Sequence, residues 1–161
     1  MTFLKRFYNN FLEIFAVLTF LALILLTFFQ VSSRYVFQAP ITFSEEMGRF
    51  LFIWMSFLGA AIAMKHDKHI RLDVFHGKIR PALRHLFDVS VFLLILCFSV
   101  LVCAQGLKLS AATTRQIAPV SRIPMAYMYL IIPISAFFMG CYAARHLILR
   151  LRQLLQIRRE Q

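Results

Sequence analysis

The sequence predicts an all-α polytopic membrane protein with four transmembrane helices and a basic amphipathic C-terminal extension. Three observations predict it. Of 161 residues, 60% are hydrophobic and only 16% charged, and the mean hydropathy is +0.72, which excludes a soluble domain. The apolar residues collect in four runs, about 11–31, 47–64, 89–109 and 125–144. Each is close to the length that crosses a hydrocarbon core of ~30 Å at about 1.5 Å per residue. The 18 Lys and Arg residues are distributed unevenly between the two sides that these runs define. With no stretch left over for an aqueous domain, the whole chain, 1–161, is expected to form a single membrane domain.

The first run follows Lys5 and Arg6, as a signal peptide would. At about 21 residues it exceeds the apolar region of a signal peptide, and no small-residue cleavage site follows, so an uncleaved span is expected. Glu13, near its start, reads as an interfacial charge reaching towards Lys5 or Arg6. Arg34 closes the span, and a short loop through Pro40 forces a helical hairpin.

The second span carries the densest information. Thr42 with Glu45 fits a capping box, and Ser44 is the competing N-cap. Glu45 and Glu46 occupy the first turn, where the helix dipole favours negative charge. Arg49 lies four and three residues further on, so the three are expected to share a face. The hairpin brings Arg34 beside them, giving a cluster of two cations and two anions. Such a cluster is far cheaper at a membrane interface than isolated charges. It is either an ion-pair lock between helices or a partner surface. Trp54 lies within the span, and Ser56/Ala60 and Gly59/Ala63 are small residues four apart, the spacing of close helix packing in membranes.

The loop from Lys65 to His85 holds six basic residues and four of the five histidines. Pro81 suits the first turn of the third helix, and Arg84 and Asp88, four apart, are expected to pair. Pro133 in the fourth span removes a backbone hydrogen bond and predicts a kink, while Ala136, Gly140 and Ala144 form another small-residue stripe. Cys97, Cys103 and Cys141 lie in apolar runs without metal-ligand spacing and read as small packing residues. Beyond Arg145 the helix continues, with leucines on one side and Arg145, Arg150, Arg152 and Arg159 on the other. It suits an acidic membrane surface, with Arg158 adding to its charge; a solvated tail is the other reading.

Four spans put both termini on the side of the Lys65–His85 loop, and that side holds 13 of the 18 basic residues. By the positive-inside rule it is cytoplasmic. The net charge of +11 is thereby accounted for by topology and lipid contact, without nucleic acid. The histidines lie outside the mid-membrane zone where axial haem ligands would be needed, and the chain shows no metal-ligand set, phosphate loop or nucleophile–base pair. Neither a mid-span carboxylate nor a pair of broken helices marks a solute site. The chain therefore reads as a non-enzymatic subunit needing no cofactor. The anchor of a redox enzyme and a small homodimeric exporter are the alternatives.

The run from Gln30 through Arg34-Tyr35-Val36-Phe37, then Ser44-Glu45-Glu46, Arg49, Trp54, Gly59-Ala60-Ala61 and His69 to Asp73 resembles the DctQ-like small membrane subunit of tripartite ATP-independent periplasmic (TRAP) transporters. Ile123-Pro124-Met125, Tyr129 and Ile132-Pro133 resemble the same family's entry to its fourth span, with Arg122 a departure where a small or apolar residue is expected. The resemblance implies a heterodimer with a large multi-span subunit that carries substrate and sodium sites and works as an elevator. It implies a periplasmic binding protein that delivers an organic acid of the dicarboxylate or sialic acid type, and a location in the bacterial inner membrane. The small subunit would enlarge the static scaffold. Arg34, Glu45, Glu46, Arg49 and Trp54 are then interface residues, and His69 and Asp73 match on the cytoplasmic side with no role assigned.

Overall fold

The computed structural model describes residues 10–36, 38, 41–66 and 81–159, the backbone alone for 81–86, 88 and 153–159. The helices are α1 (Phe11–Tyr35), α2 (Thr42–Lys65), α3 (Pro81–Ala112), α4 (Met125–Tyr129) and α5 (Ile131–Arg159). Among the described residues, four segments are long and apolar enough to span a membrane: α1, α2, Val89–Ala112 within α3, and Met125–Arg152 across α4 and α5. The protein is an all-α polytopic membrane protein, as its composition requires.

Helix α1 is apolar on nearly every side and buries only Leu12, Ala16, Thr19 and Ser33. Such a helix is stable where hydrocarbon is the solvent. Buried Thr19 gives its hydroxyl proton to the carbonyl of Phe15 at 2.8 Å, so that group is not left bare. Helix α2 begins without the expected capping box. Ile41, in extended conformation, occupies the N-cap position and no side chain caps the turn. Thr42 is already helical, one residue too late to cap, and Ser44 donates its hydroxyl back to the Ile41 carbonyl at 2.7 Å. Glu45, the other half of the box, is drawn to Arg34 instead.

Pro81 is the first residue of α3, where its missing N–H costs nothing. In the fourth span the discontinuity falls at Leu130, between α4 and α5, rather than at Pro133 itself. The physical reason is that Pro133 withholds its N–H from the carbonyl four residues back, Tyr129, the last residue of α4. Helix α5 then runs unbroken for 29 residues, about 43 Å at the helical rise, so the basic extension is a direct continuation of the span.

Helix α1 packs on α2, α2 on α5, and α5 on α3, with α4 against α3. Two cores form along this order. One joins Leu12 and Ala16 of α1 to Leu58 of α2 and Ile131 of α5. The other joins Ala61 and Met64 of α2, Phe92 of α3, and Met139 and Ala143 of α5. The α3–α5 seam is close. A Cβ on Gly106 would lie 2.9 Å from Pro133 Cδ and 3.1 Å from its backbone nitrogen, and one on Gly140 would lie 2.8 Å from Ser99 Oγ. The stripe of Ala136 and Gly140 thus serves packing, although Ala143 rather than Ala144 is the fully buried residue. Of the pairs Ser56/Ala60 and Gly59/Ala63, Ala60 packs against the second core, whereas Ser56 is exposed and a Cβ on Gly59 would meet nothing within 4 Å. Cys97 and Cys141 are exposed and Cys103 is half-buried, so the cysteines do not fill the core.

Candidate functional site

The N-terminal half of α2, called outer in the expected orientation, was the sequence's candidate, and the structure gives it three tasks. Arg34 Nη2 meets Glu45 Oε1 at 3.3 Å, tying the end of α1 to the start of α2 across a connection in which Gln38 takes a positive φ of 51°. Glu46 turns the other way. It is 4% exposed, and its carboxylate accepts the backbone N–H of Ser121 at 2.7 Å and of Val120 at 3.4 Å. Hydrogen bonds from two amides satisfy a buried charge that would otherwise be costly.

The segment that Glu46 grips is a tight outer turn between α3 and α4. Ala118 N–H donates to Ile123, Arg122 N–H to Ala118 and Met125 N–H to Gln116, at 3.0, 3.1 and 2.9 Å, and Ile117 and Pro124 form an antiparallel bridge. Arg122 sits there at φ 55°, a left-handed conformation uncommon outside glycine and asparagine. The turn thus reverses on Arg122. Ser110 adds a hydroxyl bond to the carbonyl of Ala126 at 3.1 Å, fastening α4 to α3.

Trp54 donates its indole N–H to the Met128 carbonyl at 3.0 Å, beside the α4–α5 discontinuity, and its ring lies 6.0 Å from that of Phe15. One side chain therefore links α1, α2 and α4. Arg49 is left over. It is exposed, and its Nε donates a long 3.5 Å bond to the Glu45 backbone carbonyl. The expected four-charge cluster is not one cluster, because Glu45 and Glu46 are about 100° apart on the helix and face different neighbours.

A second charged group lies at the opposite end of the same hairpin. Glu13 Oε1 receives Lys65 Nζ at 2.6 Å and lies 3.1 Å from His66 Nε2. Lys5 and Arg6, the partners expected for Glu13, lie outside the described residues. The antiparallel hairpin itself was the signal: it brings the end of α2 to the start of α1 as surely as it brings Arg34 to Glu45. On that side, Arg152 is exposed and Arg150 half-buried, while the side chains of Arg158, Arg159 and the Arg84–Asp88 pair, and all of His69 and Asp73, lie outside the described residues.

Residues 23–153 match the family model of the tripartite ATP-independent periplasmic transporters, DctQ component. The chain belongs to this family. A TRAP transporter small permease protein of Haemophilus influenzae is 30% identical over 129 residues, covering 78% of each chain. The sialic acid TRAP transporter small permease protein SiaQ of Vibrio cholerae is 31% identical over 93 residues, 58% of this chain and 54% of that one. The isethionate TRAP transporter permease protein DctMQ of Oleidesulfovibrio alaskensis is 31% identical over 134 residues, which are 78% of this chain but only 21% of that protein. The chain is accordingly a multi-pass TRAP small permease subunit, a non-catalytic transport component of a family in which it associates with a large permease subunit.

Proposed function

We propose that this chain is the static, scaffold-side subunit of a sodium-coupled importer of organic acids, of the dicarboxylate or sialic acid type. In this reading it resides in the bacterial inner membrane with both termini cytoplasmic. The moving, elevator-type transport domain and the sodium and substrate sites belong to the large permease, and a periplasmic binding protein delivers the solute to the outer face. The observation that carries the reading is the Oleidesulfovibrio relative, in which the segment similar to this chain is about a fifth of one permease polypeptide. The SiaQ relative supports the substrate class.

The internal fastenings suit a part that must stay still while its neighbour moves. The α1–α2 hairpin is held at both ends by ion pairs, the outer turn is strapped by Glu46, and α3 and α5 approach through glycines. Arg34, Glu45 and Arg49 lie on the accessible outer surface and are proposed partner contacts. Glu46 and Trp54 would act from within by shaping that surface. Arg150, Arg152, Arg158 and Arg159 are proposed to meet anionic headgroups, each contributing about 1 kcal/mol near a charged leaflet.

The test is uptake by proteoliposomes. Large and small subunits together, with binding protein and an inward sodium gradient, are expected to accumulate the organic acid, and either membrane subunit alone is not. Uptake undiminished without this chain would overturn the proposal. For orientation, cysteines replacing Lys68 and Gln161 are expected to be shielded from impermeant reagents in intact cells, and one replacing Gln38 to be labelled.

A further inference from the structure

Arg49 poses a problem of charge. It lies seven residues into α2, about 10 Å along the axis from Thr42. Among the described residues it forms no ion pair: Glu45 is taken by Arg34, and Glu46, although within electrostatic reach of Arg49, turns its carboxylate to the amides of Val120 and Ser121. A guanidinium at that depth, facing hydrocarbon without a carboxylate in contact, is expensive. The rest of its face narrows from an aromatic residue to small ones. Positions 49, 52, 56 and 59 fall four and three apart on one side of the helix. There Phe52 is 64% exposed, Ser56 is exposed, and half-buried Gly59 leaves room where a Cβ would meet nothing within 4 Å.

The other outward faces differ. That of α1 presents Val17, Leu21, Ile24 and Phe28, and that of α3 presents Val91, Leu94, Phe98 and Leu101, side chains that acyl chains solvate well. Lys108 on α3 is only four residues from the helix end, within reach of headgroups. Arg49 is thus the deep cation of the outer half, and it sits on the face with the least side-chain bulk at its centre.

We infer that the Arg49–Phe52–Ser56–Gly59 face of α2 is the seat of a transmembrane helix of the large permease, and that this helix carries a carboxylate level with Arg49. The inference rests on the reading of this chain as a small permease subunit and adds to it the face, the residue and the partner's chemistry. Charge complementarity selects the occupant: an acid on the incoming helix neutralises the guanidinium in a low-dielectric setting, where a matched pair holds and a lone charge does not. Gly59 lets the incoming backbone approach closely.

The experiment uses the co-expressed complex with an affinity tag on the large permease. A photo-crosslinking amino acid is placed singly at Ser56, at Phe28 on α1 and at Leu94 on α3. The adduct with the large permease is expected from position 56 and not from 28 or 94. In parallel, Arg49→Gln is expected to lower recovery of the small subunit with the large one at least about tenfold, with partial rescue by Arg49→Lys and with the melting temperature of the isolated small subunit unchanged. Adducts from 28 or 94 with none from 56 would overturn the assigned face while leaving the subunit reading intact. An intact Arg49→Gln complex that has lost bound anionic phospholipid would show that a headgroup phosphate, not a protein carboxylate, meets Arg49, and would also overturn the inference. Failure of the wild-type pair to co-purify would overturn the subunit reading itself.

Discussion

The α3–α5 seam and the outward face of α2 are both built from small residues at helical spacing, yet their surroundings are opposite. On the seam, Gly106 lies against Pro133 and Gly140 against Ser99, so each missing Cβ is occupied by the facing helix. On α2, Gly59 looks onto nothing and Ser56 satisfies its hydroxyl on its own helix, at the Phe52 carbonyl. The first region has spent its small residues on closing this chain. The second has them free, beside an arginine that forms no ion pair among the described residues. Small residues four apart show that a backbone can approach, and only the fold decides whether the visitor is internal.

The contrast is most sharply tested where relaxation is hardest. Gly106→Ala places a Cβ against ring and backbone atoms of Pro133, neither of which can swing away. The expected cost is about 1–3 kcal/mol, seen as a lower melting temperature of the purified subunit. An unchanged melting temperature would mean that the seam is looser than described.

The next largest effect is expected at Glu46. Glu46→Ala strands the amides of Val120 and Ser121 and frees the outer turn, at an expected cost of about 1–3 kcal/mol. Protease sensitivity at 118–123 should rise with it. Glu46→Gln keeps one acceptor oxygen and should cost less.

The smallest effects belong to the two ends of the hairpin, and they should differ from each other. The Arg34 and Glu45 side chains are 60% and 35% exposed, so Arg34→Gln should cost less than about 1 kcal/mol and lose even that in high salt. Lys65 and Glu13 are more enclosed, at 19% and 25%, and their contact is shorter, so Glu13→Gln should cost more and depend less on salt. Equal costs measured by thermal unfolding at low and high salt would remove the distinction.

The architecture was legible because bilayer thickness fixes span length and the four runs obey it; Pro81 also marks its helix start without ambiguity. The site was legible only as a list. Glu45 and Glu46 are adjacent in sequence and equally suited to an ion pair. What separates them is an outer turn 74 and 75 residues away, whose amides lie on the Glu46 side of α2. Trp54 was singled out for the same reason and with the same gap, since its acceptor is a carbonyl of α4, 74 residues on. The capping box failed because the helix starts one residue early, with Ile41 at the N-cap and Thr42 already in the first turn. The Glu13–Lys65 contact required only that the hairpin logic used at the outer end be applied at the inner one.

The central claim is that one small-residue surface holds this chain together and the other holds its partner. The direct measurement compares Gly106→Leu and Gly59→Leu in two readouts: melting temperature of the isolated subunit and yield of the complex with the large permease. The account predicts that Gly106→Leu lowers the melting temperature, whereas Gly59→Leu leaves it at the wild-type value and abolishes the complex. A Gly59→Leu subunit that still assembles fully, or one that melts as early as Gly106→Leu, would contradict it.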